Sequence, residues 1–401
     1  MKILFVSPFP PARDGIGTYT LALMAALRAA GHETRVVLPR AQEGSSGDVL
    51  GALGGGAADL AVLGDVVRSW APDVIHVQFG VGAFATRTRA LLSWLRLIRS
   101  AGRVPVIATM HEVTRDTALL RGPGRALYRK LAAHCDHVIV HTRSARASIT
   151  GPVGLPDAKV TVICHPEAQP PRVVSSAAGL RDHFGLGDAE LLLAFGFVHV
   201  DKGLDDLVRA LRIIRRSGTP PLDRVRLVIA GTVRPRQGLF RVFELRDRLH
   251  LARVLRMARR GGLEDIIVRT GYVPDADVAG WFQAAAAAVL PYRRIEQSGV
   301  AGLVNAFGVP VLASTAGGLG EQYAGSPWTF APGSPAELAT VLARFLAAPP
   351  DERARTGGRT PAADMDSVVT ATLGVYGLTA RPAETVPAGA VAVAGSRPDA
   401  P

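Results

Sequence analysis

The chain has 401 residues, 48% of them apolar, which is enough for two buried cores and long for a single open α/β domain. Its net charge of +12 is carried almost wholly by arginine, since only Lys2, Lys130, Lys159 and Lys202 are lysines; aromatic residues make up 6% and no nucleic-acid module is present, which excludes base stacking and leaves phosphates or acidic lipid as partners for the charge. Cys135 and Cys164 have no metal-ligand spacing and no apolar run approaches bilayer length, which excludes a disulfide framework and a spanning helix and leads us to expect a cytoplasmic protein, peripheral at most to the inner face of the membrane.

Residues 3–6 read as a buried strand and 8–17 as a loop; Pro8, Pro10 and Pro11 argue against a secretory signal. Residues 18–30 have helical spacing at Leu21, Ala25 and Leu27, and Gly31 ends that helix. Residues 34–38 form the next strand and 44–56, small and polar, a loop. Short buried-type strands follow at 74–77, 104–108, 137–140 and 159–163, with helical patterns between them. Residues 166–176, with three prolines and no period, read as an interdomain connection. A second series has strands at 191–195, 225–230, 266–269, 287–290 and 309–313, and its clearest helices at 204–216 and 337–346. The alternation predicts an α/β fold of two Rossmann-like domains with parallel sheets, residues 1–165 and 166–350. Residues 381–401 carry Pro, Ala and Gly with almost no large side chain, and the expectation there is a disordered tail.

Ligands of open α/β sheets bind beyond the carboxyl ends of the strands, and four loops at such places stand out. Asp14-Gly15-Ile16-Gly17 precedes the first helix; its glycines let backbone amides approach an anion, though a tight strand-to-helix turn would look the same. Residues 195–203, FGFVHVDKG, put His199 and the scarce Lys202 between a buried strand and a helix, within reach of a diphosphate. In Glu296-Gln297-Ser298-Gly299-Val300, Ser298 can cap the next helix so that the amides of Gly299 and Val300 point at an anion. Residues 316–321, AGGLGE, add glycines and Glu321, which would accept from a sugar hydroxyl or merely end a helix. Three of the four follow strands of the second half, and together they suggest one diphosphate pocket. In the first half His111, beside Glu112, follows a strand end and is a catalytic candidate; His76 and Gln78 end another strand and are acceptor candidates, with structural histidines as the plainer reading.

Two stretches are strongly basic. Residues 233–260 hold nine arginines against Glu244 and Asp247. A solvated helix is the plain reading; a clamp on a phosphorylated acceptor and a contact with anionic lipid are the alternatives. Residues 88–103 place Leu91, Leu95 and Ile98 on one helical face and arginines on another, as a helix covering a sheet would.

In this order, the strings MKILFVSPFPPARDGIGTYT, GHETRVVLP, PDVIHVQFG, VPVIATMHE, FGFVHVDKGLDDLVRAL, GYVPDADVAGWFQAAAAAVLPY, QSGVAGLVNAFGVPVLAS and GGLGE resemble the family 4 retaining glycosyltransferases of the GT-B fold, over roughly residues 1–346. The resemblance implies an N-terminal acceptor domain, a C-terminal domain for the nucleotide sugar, a cleft that closes between them, and a last helix within 360–380 returning to the first domain. It implies donor contacts from Gly15, Lys202, Ser298, Gly299 and Val300, and from Tyr272 and Val273 at the nucleobase; beside these, the loops lead us to expect donor contacts from Gly17, His199 and Glu321, from Asn305 at a ribose hydroxyl, and from Glu296, which takes the family's first acidic position only with a one-residue shift. It places His111 beside the transferring sugar. It implies no metal and no cofactor other than the nucleotide-diphosphate sugar itself, with a donor phosphate oxygen helping to deprotonate the incoming hydroxyl. The chain departs from the pattern where two glutamates eight positions apart are common: Ile295 and Leu303 stand there, as in a subgroup with QSGV. His199 stands where arginine is common, and Asp14 where a second glycine is. These losses keep a rival open, a nucleotide-sugar binder without transferase activity; an epimerase on the same fold would need an acidic pair that is not seen. The acceptor and the oligomeric state are not specified.

Overall fold

The computed structural model describes residues 1–379 except 13, 45, 103, 167–169, 236–240 and 355–362. The tail expected at 381–401 and Arg236 lie outside the described residues. The first half runs β1 (Lys2–Val6), α1 (Gly15–Ala29), β2 (Glu33–Leu38), β3 (Val49–Ala52), α2 (Ala57–Trp70), β4 (Val74–Phe79), α3 (Val81–Phe84) and α4 (Thr88–Ala101). It continues with β5 (Val106–Met110), α5 (Val113–Ala132), β6 (His137–Val140), α6 (Arg143–Thr150) and β7 (Val160–Val162). After α7 (Ala177–His183) come β8 (Glu190–Phe195), α8 (Leu204–Ser217), β9 (Val225–Ala230), α9 (Arg241–Arg260), β10 (Ile267–Arg269) and α10 (Asp275–Ala284). The rest is β11 (Ala287–Leu290), α11 (Gly299–Ala306), β12 (Val311–Ser314), α12 (Gly317–Gln322), β13 (Thr329–Phe330), α13 (Pro335–Ala347), α14 (Pro350–Arg353) and α15 (Met365–Thr379).

The strands form two all-parallel sheets. The first has seven strands in the order β3-β2-β1-β4-β5-β6-β7, and the second six in the order β10-β9-β8-β11-β12-β13. Helices cover both faces of each, so the central strands are apolar throughout rather than alternating. In both sheets the direction of winding reverses once: between β1 and β4 in the first, and between β8 and β11 in the second. At such a reversal the flanking loops diverge and leave a crevice.

Three expectations are corrected. Helix α1 begins at Gly15, not residue 18, because the extended Asp14 caps it, its carboxylate accepting from the N–H of Ile16 (2.9 Å) and Gly17 (3.3 Å). Part of the 44–56 loop pairs with β2 as the edge strand β3; an edge ladder is held by backbone hydrogen bonds and needs little apolar pattern. The two-residue β13 beyond β12 was not expected at all. Helix α4 buries Leu91, Trp94, Leu95 and Ile98 against the first sheet, so its apolar face is already covered by protein. Helix α15 contacts α1, and its Val368, Val375 and Tyr376 join Ile3, Phe5 and Leu23 in one core.

Candidate active site

The crevice of the second sheet collects the sequence features that pointed to phosphate. After β8 the chain turns through Gly196 (φ 92) and a 3₁₀ turn over Val200–Lys202, capped by His199, then through Gly203 (φ 64) into α8. Gly203 has no alternative, because a Cβ there would collide with the carbonyl oxygen of Pro291 and the backbone is left-handed. That close approach locks the Lys202 turn onto the end of β11. A half-buried ion cluster tightens the same joint: Arg293 donates from Nε to Asp206 (2.8 Å) and from Nη2 to Asp205 (2.7 Å), while its backbone N–H donates to Asp201 O (2.7 Å). Sequence reasoning missed Arg293; its only signal was the Asp205–Asp206 pair at the start of α8.

Lys202 Nζ lies 5.4 Å from the centre of the Tyr292 ring and makes no ion pair among the described residues. It borders a notch with Gly196, Phe197, His199, Pro291 and Tyr292. Across the crevice Ser298 caps α11, its Oγ accepting from Ala301 N–H (3.1 Å), so the earlier amides of the helix are left for an outside acceptor. The two loops converge: the point where a Cβ of Gly196 would sit is 3.1 Å from Lys202 Nζ and 3.4 Å from Val300 Cγ2. A flexible cation and a helix N-terminus thus face one small volume that a side chain on Gly196 would fill.

The facing edge of the first sheet has a different chemistry. Asp14 already occupies the N–H groups of Ile16 and Gly17, so the α1 terminus that was expected to hold phosphate through Gly15 and Gly17 presents a carboxylate instead. Glu112 and Asp116 add acid there, both paired with Arg115. His111 is 7% exposed, and its ring belongs to a chain of contacts. His111 Nε2 is 2.7 Å from Gln78 Oε1, and His111 Nδ1 is 3.3 Å from His141 Nε2. His141 Nδ1 is 2.8 Å from Ile163 O. At the other end His76 Nε2 meets Gln78 Nε2 (3.3 Å) and Thr109 Oγ1 (2.7 Å), and His76 Nδ1 meets the Tyr376 hydroxyl (2.7 Å).

Proton counting orients this chain. A carbonyl only accepts, so His141 Nδ1 carries its proton and His141 Nε2 accepts from His111 Nδ1–H. His111 Nε2 is then an acceptor, satisfied when the Gln78 amide turns its NH₂ toward it. Burial lowers all three rings, His76 and His141 to about 3 and His111 well below the ordinary histidine range, with His141 adding to the effect at His111. All three are neutral at pH 7. His76, 1% exposed, and Gln78, 0% exposed, are therefore core residues that tie β4 to α15 and to His111, and the expectation that they meet an acceptor is corrected.

Two glutamates expected at the donor join the two lobes instead. Glu296 is 3% exposed and its Oε2 accepts from Thr114 N–H at the start of α5 (2.9 Å). Its Oε1 is buried without a partner among the described residues. Burial pushes this carboxyl up to about 8. Glu321 on α12 accepts from the N–H groups of Arg143 (2.9 Å) and Ser144 (2.7 Å), capping α6 of the first lobe. Gly317 and Gly318 make room for this joint, since a Cβ on either would meet the carbonyl oxygens of Ile295 or Glu296. His199 turns toward α9, where Arg246 Nη2 approaches its Nε2 at 3.0 Å. Asn305 accepts from Tyr323 OH (3.0 Å) in the last turn of α11. Tyr272, 54% exposed, and Val273 follow the edge strand β10, outside the notch under Lys202. Among the described residues no cluster of three or more metal-ligating side chains occurs, and no helix is long and apolar enough to cross a membrane.

Comparison with known proteins follows the same division into halves. Residues 13–166 match the model of Glycosyltransferase Family 4, and residues 189–348 that of Glycosyl transferases group 1. A D-inositol 3-phosphate glycosyltransferase of Xylanimonas cellulosilytica is 27% identical over 62% of this chain, and the matched region spans only 56% of that relative. A GDP-mannose-dependent alpha-(1-6)-phosphatidylinositol monomannoside mannosyltransferase of Mycolicibacterium smegmatis is 27% identical over 88% of this chain and 91% of its own. The solved structure of HepE from Anabaena in complex with UDP and glucose superposes with a TM-score of 0.71 over 94% of this chain and 99% of its own, at 16% identity.

Proposed function

We propose that this chain, whose two halves match the models of Glycosyltransferase Family 4 and Glycosyl transferases group 1 and which has the two-lobed GT-B fold, moves a sugar from a nucleotide-diphosphate sugar to a hydroxyl acceptor, with retention and without a metal. The observation that carries the reading is the convergence of Lys202 and the α11 N-terminus at the winding reversal of the second sheet. A diphosphate there meets a cation and main-chain N–H donors, which stabilise the charge that grows as the C1–O bond to phosphate breaks. The acceptor hydroxyl bonds to C1 from the same face, and its proton passes to an oxygen of the departing diphosphate. The Lys202 cation and the α11 dipole would supply the neutralisation that a metal gives elsewhere. His111, neutral and held by Gln78 and His141, shapes the first-lobe wall beside the sugar; a ring whose Nε2 is engaged and whose Nδ1 carries a proton serves there as a wall, not as a base.

Uridine and guanosine diphosphate sugars are the donors to test first, because relatives and neighbours in fold are named for them. The inositol-containing acceptors in two relatives' names make a polyol hydroxyl, free or lipid-linked, the acceptor class to test first. A thermal-shift screen of nucleoside diphosphates and their sugars, followed by release of nucleoside diphosphate with candidate acceptors, tests the reading. Stabilisation by one nucleotide series and acceptor-dependent release support it; no stabilisation by any nucleotide ends it. Ile295 and Leu303 in place of an acidic pair favour a second reading, a binder without transfer, which would give stabilisation and no release.

A further inference from the structure

Helix α9 carries a surface that the cleft does not use. Its inward side buries Asp247, Val254 and Ala258. On its outward side Val242, Leu245 and Leu249 are 70%, 59% and 51% exposed. Arg253, Arg256 and Arg260 continue the same spacing of three and four. At about 100° per residue these six side chains fall within an arc of about 80°. One stripe is thus apolar along the first turns of the helix and cationic along the last.

The cationic end borders a cavity of about 340 Å³, which Arg212 of α8 and Met257 complete. Neighbouring arginines of the same lobe are paired: Arg215 with Asp265, Arg248 with Glu244, Arg259 with Glu264. The four at the cavity have no ion pair or hydrogen bond among the described residues, and Arg212 Nε is buried without a partner there. Cations gathered this closely repel one another, and no carboxylate lines the cavity to relieve them. An anionic partner would supply the counter-charge that the described residues do not.

We infer that this face of α9 docks on an anionic lipid surface, with Val242, Leu245 and Leu249 entering the acyl boundary and the four arginines binding lipid phosphates. A soluble polyphosphate would account for the arginines but would leave three consecutive large apolar side chains in water on the same stripe. A lipid surface satisfies both halves at once, as an amphipathic helix in the interface plane does. The docking face is on the opposite side of α9 from Asp247, whose carboxylate accepts from Val200 N–H (3.4 Å) beside the Lys202 turn. The inference is independent of the donor assignment, since neither the stripe nor the arginine cavity lines the crevice.

Cosedimentation of the full chain with vesicles of phosphatidylcholine alone, and of phosphatidylcholine with an equal amount of phosphatidylglycerol, tests it. Binding to the anionic vesicles at least about tenfold tighter than to the neutral ones, falling with added salt, is expected. The triple change R253S/R256S/R260S and the double change L245S/L249S should each weaken it about tenfold or more, with far-UV melts unchanged. Equal binding to both vesicle types, or undiminished binding by either variant, overturns the inference. So does arginine-dependent binding of inositol hexakisphosphate by calorimetry without sedimentation on either vesicle, which would make the cavity a site for a soluble anion.

Discussion

The two lobes share one architecture, yet their edges at the cleft are electrostatic opposites. Around the β8–β11 reversal the second lobe offers Lys202, a helix N-terminus and glycine turns. Around the β1–β4 reversal the first lobe offers Asp14, Glu112 and a file of buried neutral histidines. The same winding therefore gathers a cation and open helix amides in one lobe and a neutral-to-acidic wall in the other. What decides is not the fold but which atoms reach the helix N-termini: at α11 the earlier amides face out, while at α1 Asp14 has taken them, and at α5 and α6 glutamate oxygens of the opposite lobe have. These caps also join the lobes: Glu321 accepts from two N–H groups at the α6 terminus, while Glu296, which keeps its proton up to about 8, accepts from Thr114 N–H at α5 as a buried hydrogen bond rather than as a counter-charge.

The contrast can be broken most severely at Gly203. Gly203→Ala imposes a strained left-handed residue and a clash with Pro291, and should cost about 3 kcal/mol or more, seen as a fall in Tm with loss of nucleotide binding. Lys202→Ala removes the cation alone. It should weaken nucleoside diphosphate binding by about 2 kcal/mol with little change in Tm, measured by calorimetry. Ser298→Ala removes the α11 cap and should cost about 1 kcal/mol in stability, read from the denaturation midpoint.

The two edges should also titrate in opposite directions, an effect that sharpens the comparison without dissecting it. Glu296 binds its proton more tightly in the folded chain, with a value of about 8 against an ordinary 4.5, so the folded state holds more protons between those limits. Stability from this site is present at the acid end of that window and is lost as pH rises through about 8. His76 and His141 are lowered from 6.5 to about 3, so their contribution is present above 6.5 and is lost as pH falls toward 3. Tm measured against pH should decline on both sides, and Glu296→Gln should flatten the alkaline side only. An unchanged alkaline limb in that variant would show that Glu296 is not responsible for it.

How far the sequence could be read follows from the range of the interactions. The two parallel sheets were legible because each central strand is a short apolar run and each crossover a helical period. The turn with Lys202 was legible because lysine is rare here and glycine follows it. Edge strands β3 and β13 were not, since their pairing is backbone to backbone. The roles of Glu296, Glu321 and His76 were hidden because their partners stand far off in the chain: Thr114 is 182 residues from Glu296, Arg143 178 from Glu321, and Tyr376 300 from His76. Helical and strand periods carry nothing across such distances, so a glutamate beside a glycine loop looked like a ligand contact when it was a cap on the other lobe.

A double-mutant cycle on Lys202 and Ser298, read by calorimetric titration with the nucleoside diphosphate that stabilises the chain most, bears most directly on the shared crevice. If one pyrophosphate touches both the ammonium and the α11 terminus, Lys202→Ala and Ser298→Ala should be coupled by about 0.5 kcal/mol or more. Losses that simply add, or an affinity that neither change alters, would mean that the two loops do not hold the same ligand.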